Sequence, residues 1–203
     1  MGATRLVLLV LLTTLLAACG SLTGGQGNPT ATPLPGTLYD PPLQVSDFTL
    51  TSDTGQPFRL SDLRGKAVVL FFGYTHCTDV CPTTMADFKR VKTALGSDAA
   101  RVAFVFISVD GARDTPDVLA AYVHAFDPQF IGLTGDEAAV SAVAKDYGVF
   151  FQRVDNGTPD YEVEHTSTTF VIDPDGRLRI VFPYQTDPTI MAQRIQALLR
   201  GTL

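Results

Sequence analysis

Two cysteines, Cys77 and Cys81, stand with three residues between them in the run Phe71-Phe72-Gly73-Tyr74-Thr75-His76-Cys77-Thr78-Asp79-Val80-Cys81-Pro82. Thiols this close in sequence have three uses. They cycle between dithiol and disulfide, they give two soft donors to a metal ion, or they do both. A strongly apolar segment ends just before them and helical spacing begins just after. They therefore belong to a strand-to-helix junction. A helix N-terminus carries partial positive charge and unpaired N–H groups, and a thiolate placed there is stabilised. Nucleophilic and metal chemistry both draw on that.

The third cysteine is Cys19. Arg5 supplies a short positive region, and the apolar run from Leu6 to Leu16 ends in the small residues Ala17 and Ala18. Residues 1–18 therefore read as an export signal, too short for a comfortable membrane span. Leu16-Ala17-Ala18-Cys19 resembles a bacterial lipobox. The resemblance implies cleavage before Cys19, lipid on its thiol, and an exported chain anchored to the outer face of the bacterial cytoplasmic membrane. An acylated Cys19 cannot form a disulfide, so Cys77 and Cys81 are the thiols that remain. The exported compartment is oxidising, and they are able to pair there unless a metal or reductant intervenes.

A chain of 203 residues with 45% apolar content suits one ordinary domain plus a targeting segment and a tether. Its net charge of -6 argues against nucleic acid as partner, because phosphate binding needs concentrated Lys and Arg. Up to Pro42 the segment after Cys19 is rich in Gly, Pro, Thr and Ser and almost free of charge. It reads as a flexible tether over 19–42, with the folded domain over 43–203.

The elements that must position the thiols follow from patterning. Phe48-Thr49-Leu50 and Phe58-Arg59-Leu60 flank Asp53-Thr54-Gly55 and read as an N-terminal β-hairpin. Ala67 to Tyr74 is a continuous apolar run and predicts a central strand buried on both faces. Pro82 to Leu95 has helical spacing at Met85, Phe88, Val91 and Leu95. Val102 to Val109 predicts a second buried strand. Thr115-Pro116 predicts a helix start, with Thr115 as N-cap. Phe130 to Leu133 reads as a short strand, and Thr134 and Glu137 have capping-box spacing before the next helix. Val149 to Val154 and Thr168 to Asp173 read as further strands, Leu178 to Phe182 closes a hairpin after the Asp173–Gly176 turn, and Asp187-Pro188 opens a last helix. The order predicts an α/β fold with a central mixed sheet flanked by helices. A β-α-β opening with cysteines at the carboxyl end of a strand is the thioredoxin-like arrangement.

Thioredoxin-type oxidoreductases use C-x-x-C, and the additional residue here alters the bite of the two sulfurs. The motif Gly73-Tyr74-Thr75-His76-Cys77-Thr78-Asp79-Val80-Cys81-Pro82 resembles the copper-site motif of the Sco (SenC-like) family. Ile107 to Pro116, Phe130 to Gly135 and Val163-Glu164-His165-Thr166-Ser167 resemble three further blocks of that family, in order. The resemblance implies a thioredoxin-like domain that binds one copper ion, as Cu(I) or Cu(II), through Cys77, Cys81 and His165. It also implies a role in copper-centre assembly in cytochrome c oxidase. The partners would then be the oxidase's copper-bearing subunit or another copper chaperone. Gly111, Glu164 and Thr78 depart from the family's usual residues, and none removes a donor. The stretch His165 to Thr169 lacks the cis-proline that dithiol oxidoreductases of this fold place before the facing strand, which favours metal over disulfide exchange.

Other polar residues have plainer readings. His76 is expected to point away from the sulfur of Cys77, His124 to be solvated, and Met85 to pack in the core. Asp79 and Asp110 are candidates for shaping loops or attracting a cationic donor, and Asp114 for shaping the turn before Thr115. The competing function is a thiol-disulfide oxidoreductase or thiol peroxidase in which Cys77 and Cys81 cycle, pairing as a disulfide, and His165 is dispensable. A structural zinc site is the poorest reading, since it normally takes four protein ligands.

Overall fold

The computed structural model describes residues 36–158 and 160–203. The expectations for the export signal, for Cys19 and for the tether up to residue 35 lie outside the described residues. In chain order the strands and helices are β1 (Thr37–Gln44), β2 (Thr49–Ser52), β3 (Pro57–Arg59), β4 (Ala67–Gly73), α1 (Val80–Leu95), β5 (Val102–Ser108) and α2 (Pro116–Phe126). They continue as β6 (Ile131–Thr134), α3 (Glu137–Asp146), β7 (Phe151–Val154), β8 (Glu162–His165), β9 (Thr169–Ile172), β10 (Arg177–Phe182) and α4 (Pro188–Arg200). Among the described residues no helix is long and apolar enough to cross a membrane.

Eight strands form one sheet in the order β1-β10-β9-β4-β5-β6-β2-β3. β4, β5 and β6 run parallel, and β9 is inserted antiparallel beside β4. Every residue of β4 and β5 is buried, as expected for central strands covered on both faces. Successive side chains of β4 point to opposite faces. Phe71 meets Phe88 of α1 edge-on at 6.5 Å, and its register partner Phe106 meets Tyr122 of α2 at 5.4 Å. Phe72 turns the other way, onto Tyr147 at the C-terminal end of α3, at 5.7 Å. α4 packs alongside α1. The sheet is thus sandwiched between α1, α2 and α4 on one face and α3 on the other.

The tether expectation for residues 37–42 is corrected. These residues lie in β1, which pairs antiparallel with β10. Pro41 and Pro42 are tolerated because β1 is an edge strand, and they fall where the register shifts between Leu38 and Leu43. The N-cap of α3 is also corrected. Asp136, not Thr134, accepts from the N–H of Ala139, while Thr134 ends β6 and pairs with Thr51. Thr115 caps α2 as expected, accepting from the N–H of Val118. β7 does not join the main sheet. It pairs with β8, a strand absent from the sequence-based expectations, in a separate two-stranded ribbon.

One buried carboxylate ties the sheet's working end together. Asp114 is fully buried and accepts from the N–H of Thr75 at 2.9 Å, the hydroxyl of Thr75 at 2.6 Å and the hydroxyl of Ser108 at 2.6 Å. It links the chain leaving β4 to the end of β5. Replacing it by Ala leaves these donors unmatched in the core. We expect Asp114→Ala to lower unfolding stability by on the order of 3 kcal/mol, read as a shifted urea midpoint in metal-free protein.

Candidate metal centre

The site is assembled from two segments that the sheet brings to one end. β4 delivers Cys77 and Cys81 from its carboxyl end, through Tyr74 to Asp79, into α1. β9 runs the opposite way, with Thr169 in register with Phe71. The residues just before β9 therefore return to the end of β4 from which the cysteines leave. His165, the last residue of β8, lies there. The nitrogen of its imidazole and the two sulfurs are all within 4.8 Å of one another. Cys81 Sγ is 3.5 Å from His165 Nε2.

Local packing explains each position. α1 buries Cys81, Thr84, Met85, Phe88, Val91 and Leu95 on one face, and Cys81 is the first of that stripe. Its sulfur enters the core only because position 73 is glycine. A Cβ on Gly73 would lie 2.7 Å from Cys81 Sγ and 2.9 Å from the rings of Phe71 and Phe106. Asp79, at the N-cap of α1, makes no side-chain cap. The sulfur of Cys77 takes part of that work, accepting from the N–H of Cys81 at 3.4 Å.

The two thiols are electrostatically unequal. Hydrogen bonding from the thiol of Cys81 holds Cys77 well below the usual thiol range, and His165 and the backbone N–H groups of Cys81 and Asp79 add to this against the effect of burial. The same shared proton, with full burial, pushes Cys81 up. The pair thus holds one proton readily and the second negative charge poorly, and both sulfurs are free thiols. His165 Nδ1 is 3.1 Å from the carbonyl oxygen of Thr166. A carbonyl only accepts, so Nδ1 carries a proton there, and Nε2 is the nitrogen turned toward the sulfurs. The rings of Phe71 and Tyr74 meet the imidazole edge-on, each at 5.8 Å, and fix its plane.

This donor set fits a soft first-row ion. Bond lengths of about 2.0–2.3 Å put three donors around one ion roughly 4 Å apart, within the spread found here. Two thiolates favour Cu(I), and imidazole also serves Cu(II). The ring is already turned with Nε2 inward.

The remaining sequence candidates sit elsewhere. His76 is half exposed, with Nδ1 3.2 Å from Thr75 Oγ1, away from the sulfurs. His124 is partly exposed but not simply solvated, since its Nε2 lies 3.4 Å from a carboxylate oxygen of Asp53. Met85 is buried in the core. Asp79 is exposed, and Asp114 serves the turn. Asp110 accepts from the hydroxyl of Tyr161 at 2.6 Å and from Arg113. Glu164 faces solvent, and Thr78 is exposed between the cysteines. At Gly111 a Cβ would lie 2.0 Å from the carbonyl oxygen of Gly135. Glycine there lets two loops touch backbone to backbone. Sequence reasoning missed Gly73 and Tyr161. A glycine ending an apolar strand was the available signal for the first, and none marked the second.

The SCO1/SenC family model matches residues 37–200. The chain belongs to the SCO1/SenC family. It is 34% identical over 167 residues to a SCO2-like protein of Rickettsia felis, covering 81% of this chain and 80% of that protein. Its structure is similar to apo Sco1 from Thermus thermophilus, at 40% identity and a TM-score of 0.75, covering 83% of this chain and 99% of that one. It is similar to copper-bound ScoI from Bradyrhizobium japonicum, at 38% identity and a TM-score of 0.70, covering 76% and 98%. The thioredoxin-like fold expected of the family is the fold observed.

Unequal thiols have a direct chemical consequence. Reduced, metal-free protein treated with iodoacetamide at about pH 6, well below the ordinary thiol pKa of about 8.5, should be alkylated at Cys77 and spared at Cys81. Peptide mapping reads the outcome. Labelling of Cys77 that rises only above about pH 8 would contradict the assignment.

Proposed function

We propose that this chain is a membrane-tethered copper chaperone. It takes up one copper ion through Cys77, Cys81 and His165 and assists copper-centre assembly in cytochrome c oxidase. The observation that carries the reading is the convergence of two free thiols and a correctly turned imidazole at one sheet end. The copper held by the Bradyrhizobium japonicum relative supports the choice of metal. Family membership supports the oxidase role, with the copper-bearing subunit or another copper chaperone as partner. The lipobox-like Leu16-Ala17-Ala18-Cys19 supports an anchor on the outer face of the cytoplasmic membrane. Such an anchor would hold the domain beside a membrane-bound acceptor.

The unequal exposure of the sulfurs suggests the order of release. Cys77 is partly exposed and Cys81 is fully buried. Thiolates of an acceptor cysteine pair reach copper from the Cys77 side, so ligand exchange begins there and Cys81 lets go last.

A second reading rests on the same asymmetry. A partly exposed, low-pKa thiol backed by a buried one is also the arrangement of a dithiol reductant, with Cys77 attacking a disulfide and Cys81 resolving the mixed disulfide. His165→Ala separates the two. The chaperone reading predicts a native fold by circular dichroism and a Cu(II) affinity lowered by about 100-fold or more, since loss of an outer partner alone costs 10–100-fold. Unchanged Cu(II) affinity with full dithiol turnover in metal-free variant protein would favour the reductant.

A further inference from the structure

His165 sits on an element that no backbone ladder joins to the main sheet. The β7–β8 ribbon pairs only with itself. A groove of about 900 Å³ opens between it and two loops, with Gly111, Thr134, Gln152, Arg153 and Val163 among the lining residues. His165 reaches both thiols and the backbone N–H of Val163 reaches the Tyr74 hydroxyl, and two further hydrogen bonds from the ribbon side to the loop after β5 both involve Tyr161. Its hydroxyl donates to Asp110 at 2.6 Å, and its carbonyl accepts from Arg113 Nη1 at 2.9 Å.

The ring of Tyr161 is held as firmly as its polar atoms. The guanidinium carbons of Arg113 and Arg153 lie 3.6 and 3.7 Å from its centroid. Two cations at that height cannot share one face, so the ring is sandwiched between them. Cation–π contacts of this kind contribute most where the ring is desolvated, and Tyr161 is buried. Arg113 is in turn oriented by Asp110, which belongs to the loop that follows β5. The stack therefore joins β7 through Arg153 and the loop through Arg113 and Asp110 to the segment leading into β8. His165 lies four positions further on.

We propose that Tyr161 is the positioning residue of this centre. Through its sandwich between Arg113 and Arg153 and its bond to Asp110, it holds the β7–β8 ribbon, and with it the imidazole of His165, over the two thiols. Both thiols stand on the β4–α1 junction and do not depend on the ribbon. Loosening the stack should therefore damage the nitrogen donor and spare the sulfur donors. This proposal rests on the copper reading above, but its first measurement does not.

The test uses Tyr161→Leu, Tyr161→Phe and Arg153→Gln. In metal-free protein, amide hydrogen exchange should accelerate at Val163, Glu164 and His165 in Tyr161→Leu while β4 and β5 keep their protection. In the copper-loaded protein the same variant should lose Cu(II) affinity by about 10- to 100-fold, the range for removal of an outer partner. Its Cu(I) affinity should change far less, and the nitrogen coupling in the Cu(II) spin-resonance spectrum should weaken. Tyr161→Phe keeps the sandwich and should recover most of the loss. Wild-type ribbon protection and wild-type Cu(II) affinity in folded Tyr161→Leu would overturn the proposal, as would equal losses for the two oxidation states. If Tyr161→Leu does not fold, Arg153→Gln decides by the same readings, because the Arg153 side chain is 53% exposed and its loss leaves the core intact. Altered exchange in a chain whose wild type binds no copper would keep the positioning role and sink only the copper reading.

Discussion

The antiparallel pairing of β9 with β4 is the interaction on which the rest of this structure depends. Phe71 faces Thr169 in that register. The carboxyl end of β4, where the cysteines leave the sheet, is thereby placed beside the amino end of β9, where the histidine segment arrives. A strand paired in parallel at this place would have carried His165 to the far edge. β4 is buried on both faces, and a slip by one residue would exchange Phe71, packed on Phe88, with Phe72, packed on Tyr147, and break both contacts. The site thus inherits its geometry from core packing rather than from its own bonds.

Within that frame, a small number of local choices prepare the donors. Gly73 leaves room for one sulfur, and the first turn of α1 gives its N–H to the other. The carbonyl of Thr166 selects the imidazole tautomer, and the aromatic rings of Phe71 and Tyr74 hold its plane. The result is a pair of thiols that share a proton unequally, facing an imidazole nitrogen. Such a set takes a soft cation readily. It leaves the less buried sulfur available to an incoming group, which suits transfer better than permanent storage.

Much of this was legible in the chain. The apolar runs of β4 and β5 have no polar interruption, so burial on both faces follows from composition alone. Thr115-Pro116 is an unambiguous helix start. The convergence of Cys77, Cys81 and His165 follows from spacing together with family resemblance, since nothing local marks His165 as a donor. The failures have physical reasons. Thr134 and Asp136 both have capping side chains two residues apart, and Thr134 was claimed by the sheet. The segment Gly36 to Pro42 has the composition of a tether, but an edge strand tolerates prolines that an inner strand would reject. β8 is short and half charged, Glu162-Val163-Glu164-His165, and its pairing is decided across a hairpin rather than by a periodic face. The stack at Tyr161 joins residues far apart in sequence, which no window of local pattern reveals.

On the proposed reading, two sulfurs and one imidazole nitrogen form a single copper site. The most direct measurement is titration of the reduced domain with copper, followed by optical and spin-resonance spectra of the loaded protein. A three-donor site of this kind saturates at one copper per chain and gives thiolate-to-Cu(II) charge-transfer bands and coupling to one nitrogen. Substoichiometric uptake, or a bound copper without thiolate bands, would contradict it.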